Sequence, residues 1–500
     1  MIDAKAAGMQ SKDRTGYRLL AENWRQVLAM LFLGFSAGLP LLLIFSTLSL
    51  WLREAGVDRS AVTYFSWAAL GYSFKFVWAP LVDKLPLPFL HQLMGKRRSW
   101  LLLAQVMVMT AMVWMAMNDP STASGLHYMA FAAVMLGFSS ATQDIVIDAF
   151  RIEAVQSDVQ ALMASTYVAG YRVGMIVAGA AALYLADWLG TTRENYLYSA
   201  WQLTYLAMAG AMLVGVFTTL SIREPARTQE SSYLHTSRDY FRFVLLFAGF
   251  VAAIILAYLS LSDVVTATKS WLVQAGAIEE LASFVAEAFR LFAALLAALF
   301  AGWLLVRIHL ADRRMLRDTY IDPVADFFRR YGKAAILILL LVGFYRVSDI
   351  VLGVISNVFY QDMGFSKDQI ATVTKVFGIW MTILGGFLGG FLTLRYGVIR
   401  ILMLGAVMTV VTNLLFIPVA NNPGDVMLLY VVIGADNITA GLASAAFIAY
   451  LSSLTSLSFT AVQYAIFSSL MTLFPKLLGG YSGSIVDAVG YQNFFLAASM

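Results

Sequence analysis

The sequence predicts an all-α polytopic membrane protein of about 14 spans, because a helix needs about 20 apolar residues to cross about 30 Å of hydrocarbon, and three observations carry that prediction. Of 500 residues, 60% are apolar and 13% charged, about half the charged share of a soluble protein. Mean hydropathy is +0.74, and long apolar stretches recur along the whole chain. Lys and Arg alternate with them: 21 lie in connections on the N-terminal side and 5 on the other, which places the N-terminus in the cytoplasm. With so little polar surface, a soluble enzyme, a nucleic-acid-binding module and a disordered chain are excluded. The net charge of +4 and pI of 9.0 reflect the cytoplasmic loops, not a nucleic-acid partner. The chain has no Cys, so disulfide, thiolate and Cys-ligated metal chemistry are absent.

Residues 1–25 are polar, lack the apolar core and cleavage site of a signal peptide, and read as a cytoplasmic N-terminal tail. Apolar stretches then place spans 1 to 6 at 26–52, 60–82, 99–117, 126–150, 162–186 and 199–221, forming an N-terminal six-helix bundle, 26–221. Segment 222–332 holds basic cytoplasmic connections around two extra central spans, 243–261 and 281–309. Its arginines (Arg223, Arg227, Arg238 and Arg242, then Arg313, Arg314, Arg317, Arg329 and Arg330) read as orientation signals and contacts to membrane-lipid headgroups. Spans 9 to 13, at 333–356, 369–393, 401–420, 426–450 and 461–487, begin a C-terminal bundle, 333–500. A fourteenth starts near Tyr491 and stops at Met500, too short to cross, so the last helix reads as truncated. The outer connections are short and leave no room for an extracellular catalytic domain.

A weak repeat at an offset of about 300 relates the halves: Gly34-Phe35 to Gly343-Phe344, Gly137 and Phe150 to Gly434 and Phe447, Asp187 and Gly190 to Asp487 and Gly490. Two parallel six-span halves are the construction of major-facilitator transporters, which hold substrate between the halves and rock between two access states.

Ionisable residues inside spans are costly and point to function. Asp144 and Asp148 in span 4 are four apart and share a helix face. Two carboxylates about 6 Å apart in a low dielectric do not both ionise cheaply unless a cation such as Lys75 or Arg172 is near, which is what a proton-coupling site needs. A fixed internal salt bridge joining spans 2, 4 and 5 is the competing reading. In span 9, Tyr345, Arg346 and Asp349 lie within one turn, Asn357 follows, and Arg346 and Asp349 also have the spacing of an internal pair. Lys375, Asp436-Asn437 and Lys476 stand in spans 10, 12 and 13, and Arg290 in span 8. Mid-span aromatics such as Trp67, Tyr72, Tyr171 and Tyr345 offer faces on which a sugar stacks. The four His all lie in connections or at span ends, so any proton carrier is a carboxylate and no metal site is expected. The run from Gly385 to Gly390 lacks the Lys-Ser/Thr of a nucleotide loop and reads as close helix packing.

The connection after span 2, with Asp83 and then Gly95-Lys96-Arg97-Arg98-Ser99, resembles the major-facilitator loop signature; Asp83, Arg97 and Arg98 are therefore expected to gate the cytoplasmic side. Three stretches, Leu33 to Pro40, Phe74 to Asp83 and Ser139 to Phe150, resemble the anhydromuropeptide permease family, AmpG, closely in the first half and more loosely in the second. The resemblance implies a bacterial inner-membrane permease that imports N-acetylglucosaminyl-1,6-anhydro-N-acetylmuramyl peptides into the cytoplasm in peptidoglycan recycling. It implies import driven by the proton gradient without a cofactor, and a feed into induction of β-lactamase. Such a substrate needs cations (Lys75, Arg172, Arg346, Lys375, Lys476), amides (Gln143, Asn357, Asn437, Gln463) and aromatic faces, with Asp349 and Asp436 beside them. The expectation is a protein that works as a monomer. Its Thr142-Gln143-Asp144 and Asp148 pattern is shared with acetyl-CoA transporters, so an acetyl-CoA or other organic-anion carrier stays open, as do a membrane transferase acting on wall precursors and a non-transporting sensor.

Overall fold

The structure is a computed structural model that describes residues 2–58, 65, 72, 74–192, 194–225, 234, 236–276, 279–479 and 482–499. Among these, eleven helices are long and apolar enough to cross a membrane. They include Glu22–Glu54 (span 1), Lys96–Ala116 (span 3), Ala123–Ala154 (span 4), Gln160–Trp188 (span 5) and Tyr198–Ser221 (span 6) in the first half. Ser237–Ser260 and Val285–Arg307 form the inserted pair, and Ala334–Asp362, Ala371–Tyr396, Val398–Asn421 and Val426–Leu454 are spans 9 to 12. Span 2 is described at its end, as a 3-10 turn Lys75–Val77 and a helix Ala79–Lys84. Span 13 is Thr460–Gly479. The chain's last helix, Ser482–Ser499, breaks at Gly490, whose φ of 75° is the left-handed region. The first helix continues back through the polar tail to Ile2.

Consecutive spans alternate direction, so the connections 83–95, 155–159, 222–236, 308–333 and 455–459 share the side of the N-terminus, called here the N-side. The connector there contains an amphipathic helix, Asp322–Tyr331, whose Phe327 is buried 5.2 Å from the Phe467 ring of span 13.

Glycine decides the closest packing. In the first half a Cβ on Gly34, Gly38, Gly170 or Gly174 would overlap a backbone carbonyl oxygen of the facing helix, so spans 1 and 5 lie backbone to backbone. In the second half Gly385, Gly389 and Gly441 are placed in the same way between spans 10 and 12. The expected close packing of that glycine run is found there.

Spans 1 and 9, which occupy corresponding places in the repeat, are both interrupted, at Phe45 and at Tyr345-Arg346. Interrupted helices free backbone groups that a ligand or a wet cavity then satisfies.

Candidate functional site between the two halves

The N-side is closed by a charged latch. Arg97, at the start of span 3, donates from Nη2 to Asp83 Oδ1 at 2.8 Å and from Nε and Nη2 to Glu153 at 2.9 and 2.5 Å, all three side chains being almost fully buried. Asp83 then reaches across to the other half, where Oδ1 and Oδ2 accept the backbone N–H groups of Ala461 and Val462 at 3.1 and 2.9 Å. These are free donors of the first turn of span 13, and a carboxylate is the natural partner for them. Burial would raise the Asp83 carboxyl, but Arg97 and Lys96 outweigh it and hold it below the usual carboxylate range. Gly95 adopts φ 84° with Glu224 folded over it, and the two Glu224 oxygens accept the N–H groups of Arg97 and Arg98. Arg98 itself donates to the carbonyls of Thr219 and Leu220 at the end of span 6. It braces the first half and does not cross to the second.

One turn deeper, Asp148 is held between two cations, Lys75 Nζ at 3.7 Å and Arg151 Nη2 at 3.3 Å. Asp144, also buried, lies on the same face and is a hydrogen-bond acceptor for Tyr167 Oη at 3.4 Å. Tyr72 shares a 2.6 Å hydrogen bond with Ser140, and both Tyr72 and Tyr171 are close enough to interact electrostatically with Asp144. The expected grouping of Lys75 with the aspartates is found, whereas no ion pair joins Arg172 to them among the described residues. Arg172 is near enough to Arg346 of the other half to feel its charge.

In the second half, Arg346 lies 3.8 Å from Asp349 of its own helix. Asp436 is near enough to Asp349 to feel its charge, so the second half carries a carboxylate pair of its own. The hydrogen bonds that tie the two halves together lie toward the N-side: Asp83 to span 13, Arg151 Nη1 to Ser452 Oγ at 2.8 Å, and Ser165 Oγ to Gly386 O at 2.7 Å. Beyond the latch a cavity of 1190 Å³, lined by Gln156, Gln160, Arg395 and Arg400 among others, opens to the N-side.

Four residues expected to contact substrate are used otherwise. Gln143 is fully buried inside the first half, its Nε2 3.4 Å from Ser36 Oγ of span 1; being one residue from Asp144 it points about 100° round the helix. Gln463 is tied to the N-side connector, donating to Pro323 O and Asp326 and accepting from Arg330 and the Ser456 N–H. Asn437 bridges spans 12 and 10, accepting from Thr382 at 2.8 Å and donating to Ile433 O. Tyr345 stacks on Phe447 at 4.6 Å and donates to Leu402 O, so its ring and its hydroxyl both face the interior of the second half. Trp67 lies outside the described residues, as do the side chains of Asn357, Lys375 and Lys476. Sequence reading missed Arg151, Glu153, Glu224 and Tyr167. Arg151 stands three residues after Asp148, and that spacing was the available signal.

Residues 26–224 match the family model described as Acetyl-coenzyme A transporter 1. Over 464 residues, 93% of this chain and 91% of the relative, the sequence is 29% identical to the putative transporter AmpG 4 of Rickettsia conorii. It is 27% identical over 469 residues, 93% of this chain and 75% of the relative, to the anhydromuropeptide permease of Escherichia coli K12. The chain is thus similar to AmpG permeases over 93% of its length. Among solved structures, the proton:xylose symporter XylE bound to 6-bromo-6-deoxy-D-glucose covers 96% of this chain and 93% of its own at a TM-score of 0.55 and 12% identity. A variant of the Escherichia coli fucose:proton symporter FucP covers 95% of each chain at a TM-score of 0.57 and 9% identity. The chain therefore has the major-facilitator fold, and it is a multi-pass membrane protein similar to proteins named as transporters.

Proposed function

We propose that the protein is a proton-coupled importer of anhydromuropeptides in the bacterial inner membrane, with its N-side in the cytoplasm, serving peptidoglycan recycling and through it β-lactamase induction. The observation that carries the reading is the cluster of buried carboxylates and cations in span 4 and its neighbours: Asp148 is paired with Lys75 and Arg151, and Asp144 lies on the same face beside Tyr167. Arg172 and Arg346, one from each half, are near enough to influence each other electrostatically and would suit the peptide carboxylates of the substrate. Tyr72 and Tyr171 provide aromatic surface for the sugars. The gradient supplies the energy and no cofactor takes part.

The test is uptake of labelled anhydromuropeptide into proteoliposomes. Uptake is expected to rise with an imposed inward proton gradient, and Asp144→Asn with Asp148→Asn is expected to abolish that dependence; intact gradient-driven uptake in the double variant would sink the coupling role. Arg346→Ala is expected to weaken binding of the peptide-bearing ligand about tenfold, the size of one charge-assisted hydrogen bond, and of bare disaccharide much less. Equal losses would contradict carboxylate recognition. The match of residues 26–224 to the acetyl-CoA transporter model favours a second reading, an acyl-CoA carrier, for which the same arginine pair would take phosphates. Thermal stabilisation by muropeptide against acetyl-CoA separates the two.

A further inference from the structure

We infer that the N-side carries an oxyanion site between spans 5 and 10, where a phosphate group from outside the chain takes the place that Asp83 holds in the latch. The two halves turn from one span to the next in the same way there. Span 2 ends on Asp83-Lys84, and Gly95, at φ 84°, starts span 3; span 10 ends on Leu394-Arg395-Tyr396, and Gly397, at φ 87°, starts span 11. Asp83 accepts two first-turn N–H groups of span 13. The second-half turn faces span 5, the counterpart of span 13 in the repeat, since a Cβ on Gly390 would stand 3.3 Å from Ala161 O and from Leu162 Cα in the first turn of that helix. The residue in the place of the carboxylate is Leu394, which packs against the apolar cluster that includes Val159 and Leu162. The N-cap of span 5 is Val159, which has no side-chain oxygen to offer. The start of span 5 therefore lacks the negative partner that the start of span 13 has.

The 1190 Å³ cavity lies at this turn. Its walls bring Arg395 and Arg400 of the second half together with Val159 and Gln160 at the start of span 5. Thr393 stands in the same wall only 5% exposed, and its Oγ1 has no hydrogen-bond partner among the described residues. A buried hydroxyl in that state marks a missing partner. Two guanidinium groups, an orphaned hydroxyl and a helix start are together a donor set for a phosphate oxyanion. Of the carboxylates on the walls, Glu153 is already neutralised by Arg97 and Glu22 belongs to the start of span 1. Both halves supply walls, so the cavity has this shape only while the N-side is closed. A ligand that prefers the closed form shifts the population toward it. A phosphate group bound there therefore restrains the transporter from the cytoplasmic side, an assignment that rests on the reading of the protein as an importer with its N-side in the cytoplasm.

The test uses the full chain in nanodiscs without muropeptide. Inorganic phosphate is titrated by calorimetry at constant ionic strength in phosphatidylcholine discs, and Arg400→Gln is expected to weaken its binding about tenfold. The chain has no Cys, so Ser221→Cys and Lys333→Cys, on opposite halves and both exposed at the N-side, carry spin labels without background. In an Asp83→Asn background, which weakens the latch, phosphate at ten times its dissociation constant is expected to lower the open-to-closed ratio about tenfold. A second arm replaces free phosphate by phosphatidylglycerol in the disc; closure there that Arg400→Gln reverses assigns the site to a lipid headgroup, and closure by inorganic phosphate alone assigns it to a soluble ligand. Leu394→Asp, which supplies the carboxylate from the chain as Asp83 does, is expected to close the N-side without either and to bind phosphate no longer. Absence of binding and of closure in both arms, or an Arg400→Gln response equal to the parent's, would overturn the site, and Arg400 is exposed, so this variant folds whether or not Leu394→Asp does. Closure as expected in a protein that takes up no muropeptide would remove the substrate reading and leave the site standing. Gradient-driven uptake with distances that ignore both phosphate sources would do the reverse.

Discussion

The two halves each hold a pair of aspartates within their spans, buried in the first and partly exposed in the second, and they restrain them in different ways. In the first half Asp148 is tied to another helix through Lys75 and, by way of Arg151, to the opposite half. In the second half Asp349 is paired 3.8 Å away with Arg346 of its own helix, and both remain half-exposed beside Asp436. A charge tied across helices moves only if helices move, so it suits coupling and gating. A charge tied within its own helix swings out at little cost and suits ligand capture. The N-side latch belongs to the first kind, since Arg97 joins spans 2, 3 and 4 through Asp83 and Glu153, and Asp83 joins them to span 13.

The largest expected effect that breaks this contrast is on Arg97. Arg97→Ala leaves Asp83 and Glu153 buried without their cation and should cost about 3–5 kcal/mol, whereas Arg346→Ala should cost under about 1 kcal/mol of stability. Thermal unfolding of the two purified variants decides it; similar melting temperatures would erase the distinction between the halves. Next in size is the glycine seam. Gly38→Ala drives a Cβ into Tyr171 O and should destabilise by about 1–3 kcal/mol or more, while Gly353→Ala in span 9, with nothing within 4 Å, should be neutral or stabilising by up to about 1 kcal/mol. The same unfolding assay reads both.

The smallest effect is an expected absence of change. Because the Asp83 carboxyl is held below its ordinary value, the stability it contributes is fully present above about pH 4 and is lost only as pH falls through that lowered value. Between pH 5 and pH 8 the latch should therefore be constant. Hydrogen exchange of the Ala461 and Val462 amides, which donate to Asp83, should not vary across that range once the intrinsic rate is corrected, and a marked acid-side acceleration would show that Asp83 itself titrates there.

The sequence by itself determined the membrane class, the two-half architecture with an inserted helix pair, and the shared helix face of Asp144 and Asp148, and a resemblance to a loop signature pointed to Asp83, Arg97 and Arg98. These follow from hydropathy, from repeats and from patterns within one helix or one short loop, all of which are local, whereas the choice of Lys75 over Arg172 as the cation beside Asp148 is tertiary. Only the tertiary structure decided which way neighbouring residues face. Gln143 and Asp144 are adjacent, yet Gln143 reaches Ser36 of span 1 and Asp144 the Tyr167 hydroxyl of span 5. Gln463, Asn437 and Tyr345 carry the right chemistry for a ligand, and packing against the connector, span 10 and Phe447 uses it up. Arg151 reads in the sequence as one more basic residue of a cytoplasmic connection. Folding buries it, because Asp148, Gln160 and Ser452 converge on its guanidinium from positions up to 301 residues away. Charge that orients a chain in the membrane and charge that works within it are the same residues in sequence, and desolvation by long-range neighbours is what separates them.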